Sequence, residues 1–171
     1  MRRVIYAVLL VLINIVLYGS LKMYISINNI TPNLLLITTV SVALLRGKYA
    51  GGIIGFFCGL LQDMTFGQVL GFYALIYMYL GFFSGYLYRI IYKDSVLIPT
   101  IVIAISDLIF GLYVYIFTFL LRGKLNMGHY FLNIIIPEVV YTALIAVLIY
   151  KFYHYMNMRL TRDGEKEAGT N

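Results

Sequence analysis

Apolar residues in this chain come in long runs broken by short polar interruptions, and each run can be read against the ~20 residues that an α-helix needs to cross a bilayer. The first run, residues 4–21, follows Arg2 and Arg3. It is longer than the ~7–15 residues of a signal-peptide core, and Tyr18-Gly19-Ser20 is a poor cleavage site, so it reads as an uncleaved anchor. After a polar interruption, Thr31-Pro32 predicts an N-cap with proline at the first helical position. The apolar run behind it reaches residue 45 and spans about 21 Å as a helix, short of the ~30 Å hydrocarbon core. Residues 25–30 are therefore expected to supply the missing depth as irregular or interfacial chain, giving a crossing over 25–45.

Arg46-Gly47-Lys48 joins this run to the next, residues 49–64. A re-entrant hairpin would leave both cations inside the bilayer at ~3 kcal/mol each, so two thin crossings are predicted. Residues 69–88 make a fourth crossing, 96–121 a long and tilted fifth, and 130–150 a sixth. Residues 161–171 have no apolar face, which predicts a disordered tail. The expected fold is all-α and integral to the membrane: one compact bundle of six transmembrane helices over residues 1–160, with no soluble domain.

Composition agrees: 62% of the 171 residues are hydrophobic, 12% are charged and mean hydropathy is +0.90. A soluble domain is typically ~25% charged, so this chain has too few polar side chains to cover a globule in water. The net charge of +6 does not point to nucleic acid, because the cations sit singly or in pairs between apolar runs. Six crossings place ten Lys and Arg residues on the side of the termini, against Lys22, Arg122 and Lys124 on the other. By the positive-inside rule both termini are cytoplasmic, as in a multi-pass protein of the bacterial plasma membrane.

Candidate chemistry is sparse. Cys58 is the single cysteine, so no intrachain disulfide or multi-cysteine metal site is possible. His129 and His154 have no partner at metal-ligand spacing, and the tyrosines at 86, 88 and 92 and at 150, 153 and 155 suit the headgroup belt near the cytoplasmic face. Gly81-Phe-Phe-Ser84-Gly85 misses the Gly-x-Ser-Gly of rhomboid-type proteases by one position. Neither Asp63 nor Asp107 lies in the Gly-x-Gly-Asp of intramembrane aspartyl proteases, and phosphate-binding and zincin motifs are absent. No catalytic, cofactor-binding or metal residue is assigned, and an enzyme is not expected.

Two other features stand out. Gly51, Gly55 and Gly59 recur every four residues, Asp63 continues the step, and Gly81 and Gly85 repeat it. Such a stripe of bare backbone serves close packing of crossings three and four, or a partner's helix. Asp63, Asp107 and Glu138 lie within or at the edge of apolar runs, with Pro137 beside Glu138 predicting a kink. Carboxyls at such depth face the bundle interior, an aqueous cavity or a partner. They act either as protonated or water-solvated groups that join helices by hydrogen bonds, or in a proton path, substrate pocket or partner contact. A structural hydrogen-bonder is expected to tolerate Asp63→Asn better than Asp63→Leu, whereas a charge that meets a partner fails with either, and Asp63 is the expected charge-sensitive member.

The segments Pro32-Asn-Leu-Leu-Leu-Ile, Arg46-Gly-Lys, Gly52-Ile-Ile-Gly-Phe-Phe-Cys-Gly59-Leu-Leu-Gln-Asp63, Leu70-Gly71-Phe-Tyr-Ala-Leu and Gly81-Phe-Phe-Ser-Gly85 resemble the bacterial rod shape-determining MreD family. The resemblance covers roughly residues 30–90 by motif and the rest by hydropathy. Asn33 departs from it, standing where an acidic residue is expected in many relatives. The resemblance implies a non-catalytic membrane scaffold of cell elongation and peptidoglycan synthesis. Its implied partners are an MreC-like single-crossing protein, the MreB filament, a RodA-type glycan polymerase and a class B penicillin-binding transpeptidase. The alternative is a substrate-binding subunit of an energy-coupling-factor vitamin transporter. Against it, Ala7 is followed four residues later by Val11 rather than the Ala of that family's docking surface.

Overall fold

A computed structural model describes residues 30–66, 70–89, 96–118 and 127–168. The first expected crossing, residues 4–21, and the loop cations Lys22, Lys93, Arg122 and Lys124 lie outside them. The described chain is helical, with no strand among the described residues. Helix α1 is Leu34–Arg46, α2 is Lys48–Phe66 and α3 is Phe72–Ser84, continued by a 3-10 turn over Gly85–Arg89. Helix α4 is Leu97–Thr118. Helix α5 starts as Met127–Tyr130, widens to a π-helix over Phe131–Ile135 and continues as Ile136–Ala168.

Helix α1 is the hub. Every residue from Leu34 to Leu44 is buried, and α1 packs against α2, α3, α4 and α5. A helix apolar on all sides has no solvent face, so the short central position suits it. Two of its hydroxyls are accommodated locally: Thr38 and Thr39 donate to the carbonyls of Leu34 and Leu35 at 2.9 Å, while Ser41 Oγ is buried without a partner among the described residues. Around the hub, Ile101, Ile105 and Ile109 on α4 and Leu144, Leu148 and Phe152 on α5 point outward in i, i+4 rows. Exposed apolar stripes of this extent are untenable in water but ordinary against lipid.

Among the described residues, two helices are long and apolar enough to cross a membrane, Leu97–Phe117 and Phe131–Tyr155. Protein covers 28% of the first and 17% of the second, so neither is the enclosed core helix of a soluble protein.

Several expected boundaries shift. The N-cap of α1 is Asn33, not Thr31, and Pro32 stands before the helix rather than at its first position. The Asn33 side chain accepts from the Leu36 N–H at 3.2 Å, the bond that defines a cap. At the other end, the backbone of α5 stays helical through Ala168, into the segment from residue 161 that was expected to form the tail. That segment lacks an apolar stripe, yet it has no proline and is rich in good helix formers such as Arg, Glu, Lys and Ala. The disturbance expected around Pro137 takes the form of the π segment just before it, where the Ile136 N–H reaches back to the Phe131 carbonyl.

Candidate functional site

The glycines lie where the backbones of neighbouring helices nearly touch. A Cβ on Gly55 would run into the backbone of Tyr77, one on Gly59 into that of Ala74, and one on Gly81 into that of Gly51. Gly51 also abuts Ala43 of α1, and Gly85 faces the backbone of Lys48. All five therefore sit inside the bundle, on the α2–α3 contact and its edge with α1. Gly47 has a different task. At φ 92° it is the single residue between α1 and α2, a conformation that L side chains rarely adopt.

Asp63 closes the opposite end of the α2–α3 pair. It is 3% exposed, and its two oxygens collect three backbone N–H groups at the start of α3. Oδ2 accepts from Gly71 and Ala74 at 3.0 Å each, and Oδ1 accepts from Tyr73 at 2.8 Å. The first turn of any helix leaves such donors unmet and carries partial positive charge, so a carboxylate fits both needs. Gly71, at φ 97°, turns the chain so that residues eight to eleven positions later in sequence reach it. An aromatic layer borders this end: Phe72 and Tyr113 have ring centroids 4.9 Å apart, Tyr113 and Phe117 4.7 Å, and the Tyr113 hydroxyl donates to the Phe72 carbonyl.

Asp107 lies elsewhere, halfway along α4 and 2% exposed. Its Oδ1 accepts from Asn33 Nδ2 at 3.2 Å, and the Thr142 hydroxyl of α5 stands beside the same carboxyl. Asn33 is the node of this region. Its Oδ1 also accepts from the Tyr77 hydroxyl of α3 at 2.6 Å, and its backbone N–H donates to Thr142 Oγ1 at 3.1 Å. One residue thereby links α1, α3, α4 and α5. Its amide explains the departure from an acidic side chain, since an ionised carboxylate has no hydrogen to offer Asp107. Glu138 is half-buried, one turn before Thr142 on α5. Two smaller ties complete the set: Ser84 and Ser106 at 3.5 Å, and Tyr153 donating to Thr38 at 3.3 Å.

Of the three carboxyls singled out in the sequence, Asp107 is linked through Asn33 to Thr142, one turn beyond Glu138, while Asp63 forms a separate cap. Sequence reasoning gave no functional weight to Asn33, Tyr77 or Thr142. The available signal was a polar residue inside a run that is otherwise apolar on every face.

At the α2 start, Lys48 Nζ sits 4.5 Å from the Tyr86 ring centroid, 5.2 Å from that of Tyr49 and 5.7 Å from that of Phe82. Cation–π attraction holds a charge of this kind at a membrane boundary. Among the described residues no group of three or more His, Cys, Asp or Glu side chains is placed to hold a metal ion.

Compared with known families, the chain matches the one described as rod shape-determining protein MreD, over residues 1–159. Neither a curated protein nor a solved structure matches the chain.

Proposed function

Because the chain belongs to the MreD family of rod shape-determining proteins, we propose that it is a non-catalytic membrane scaffold of the bacterial cell-elongation machinery. The family match along almost the whole chain carries this reading. Membership places the protein in a membrane and in rod-shape determination. The finer reading is a six-crossing bundle in the plasma membrane with both termini in the cytoplasm. It binds an MreC-like single-crossing protein and, through it, the MreB filament, a RodA-type polymerase and a class B transpeptidase.

Two structural features support a scaffold. The polar side chains described above tie helices of this chain to one another, and the small-residue stripe is spent on internal packing. The faces left outward are apolar helix surfaces and short joints, which are the means by which a small bundle engages other membrane proteins. On this reading the glycines and Asp63 shape the surface that partners meet from within.

The test is crosslinking and co-purification of a tagged copy from cells, combined with depletion. A scaffold of elongation should recover an MreC-like protein, and its loss should round or swell rod-shaped cells. Recovery of ATPase subunits and a bound small molecule without an MreC-like partner would refute the reading in favour of a vitamin-binding subunit.

A further inference from the structure

We propose that the face around Lys48, where α2 begins beside the end of α3, is a binding site for an anionic phospholipid. It rests on the placement of the chain in a membrane, and not on which side of that membrane the joint faces. The first observation is where the ammonium sits. Nζ lies over the rings of Tyr86, Tyr49 and Phe82, at 4.5, 5.2 and 5.7 Å from their centroids. A lysine at a helix end can extend its stem into water, yet here the rings hold the charge over the outer surface of the α2–α3 pair. Tyr49 is 72% exposed and Tyr86 54%, so the charge is held on an open surface. Aromatic faces attract an ammonium without neutralising it, and the cation keeps its full charge. Arg46, in the last turn of α1, adds a second positive charge across Gly47.

The second observation is the order of polar and apolar groups along this surface. The Lys48 ammonium donates to the Tyr86 hydroxyl at 3.5 Å, and a hydroxyl that accepts in this way keeps its own hydrogen for an anionic oxygen. Beyond that the surface turns apolar. Ile53 and Phe56 on α2 and Phe83 and Tyr79 on α3 are exposed, and the rings of Tyr79 and Phe83 stack with centroids 6.2 Å apart. Helix α2 starts at this joint and α3 ends at it, so both rows lead away from the charge in the same direction, about 10 Å for every seven residues. A cation at one end with apolar rows running from it matches, in charge and in order, a phosphate and its acyl chains. Another protein's helix fits this face less well. Close approach in lipid calls for small residues, and Gly51, Gly55, Gly59, Gly81 and Gly85 are already spent inside the bundle. Flexible acyl chains can fill the spaces between the bulky side chains that remain.

Native mass spectrometry of the purified full chain, titrated with phosphatidylglycerol or with phosphatidylcholine of the same acyl chains, tests this. The wild-type protein should retain phosphatidylglycerol about fivefold more tightly, the share expected of one cation near an anionic headgroup. Lys48→Gln should remove that preference and Lys48→Arg should keep it, while Lys151→Gln, on an exposed face of α5, should leave it unchanged. Equal retention of the two lipids by the wild-type protein would overturn the proposal whatever any variant does. So would a preference that survives Lys48→Gln, or one that Lys151→Gln lowers as far. In cells, a benzophenone side chain in place of Tyr49 should crosslink to phospholipid. A protein adduct instead would overturn the lipid assignment and mark the face as a partner contact. Neither measurement requires an MreC-like protein, so failure here and failure of the scaffold reading are separable.

Discussion

Asp63→Asn is the most informative single change, because the geometry reverses the simple expectation for it. An isosteric amide is a mild replacement for a carboxyl that makes one hydrogen bond. Asp63, however, uses both oxygens as acceptors, for three N–H groups. Asparagine keeps one oxygen. In its better orientation that oxygen retains Gly71 and Ala74, and its NH2 group then confronts the Tyr73 N–H. One charge-assisted hydrogen bond is lost, at about 1.5–3 kcal/mol. The surviving two fall to neutral strength, and the interaction with the helix terminus, ~0.3–1 kcal/mol, goes with the charge. The expected destabilisation is roughly 2–4 kcal/mol, and Asp63→Ala, which loses all three bonds, should cost about 3–5 kcal/mol.

Cys58 supplies the assay. It is a free thiol, fully buried, on the same helix as Asp63. Its labelling rate by a thiol reagent in the purified protein reports how often the packing around α2 opens. A loss of about 2 kcal/mol corresponds to roughly 30-fold faster labelling, since 1.4 kcal/mol is tenfold. The order should be wild type slowest, Asn intermediate, Ala fastest, with no partner present. Wild-type labelling of Asp63→Asn would refute the cap. If partner co-purification were lost in that variant without faster labelling, the charge would instead serve a contact outside the chain.

Other outcomes follow from the same contacts. Gly55→Ala should lower membrane abundance by overpacking, typically ~1–3 kcal/mol, whereas Gly52→Ala, whose Cβ would meet Phe82 at an ordinary 3.6 Å, should express normally on a quantitative immunoblot. Asn33→Leu strips hydrogen bonds from Tyr77, Asp107 and the α1 cap, and should speed Cys58 labelling more than Thr100→Val, which removes a local bond to the Val96 carbonyl. In a Cys58→Ala background, a cysteine at position 124 should label from outside intact cells, and cysteines at 47, 93 and 165 only after permeabilisation. Outside labelling at 47 would sink the six-crossing topology.

Features carried by short-range pattern were legible in the sequence. The apolar runs locate α2, α3 and α4 within a few residues, because in lipid a helix must satisfy its own backbone and its apolar length is written consecutively. The glycine step was legible for the same reason, since i+4 spacing is a property of one helix. What escaped depends on distant neighbours. Asn33 meets Thr142 across 109 positions and Asp107 across 74, and nothing local marks those pairs. Thr31-Pro32 looked like the better cap because the Asn33 side chain's partner at Leu36 is an ordinary apolar residue. Asp63 stands out in the sequence as an acidic residue at the edge of an apolar run, but its donors are backbone groups, which carry no sequence signature at all.

The burial of α1 also bears on how the protein is made. A ribosome delivers α1 before α3, α4 and α5, so Asn33, Thr38, Thr39 and Ser41 emerge on a helix whose future coat does not yet exist. The side-chain amide of Asn33 finds Asp107, and its backbone N–H finds Thr142, only after most of the chain has been synthesised. Until then the hub is a short helix with unsheltered polar groups, a poor resident of a lipid interior. A product cut off before residue 107 therefore carries its own mark of incompleteness, exposed to whatever surveys the membrane for unfinished chains.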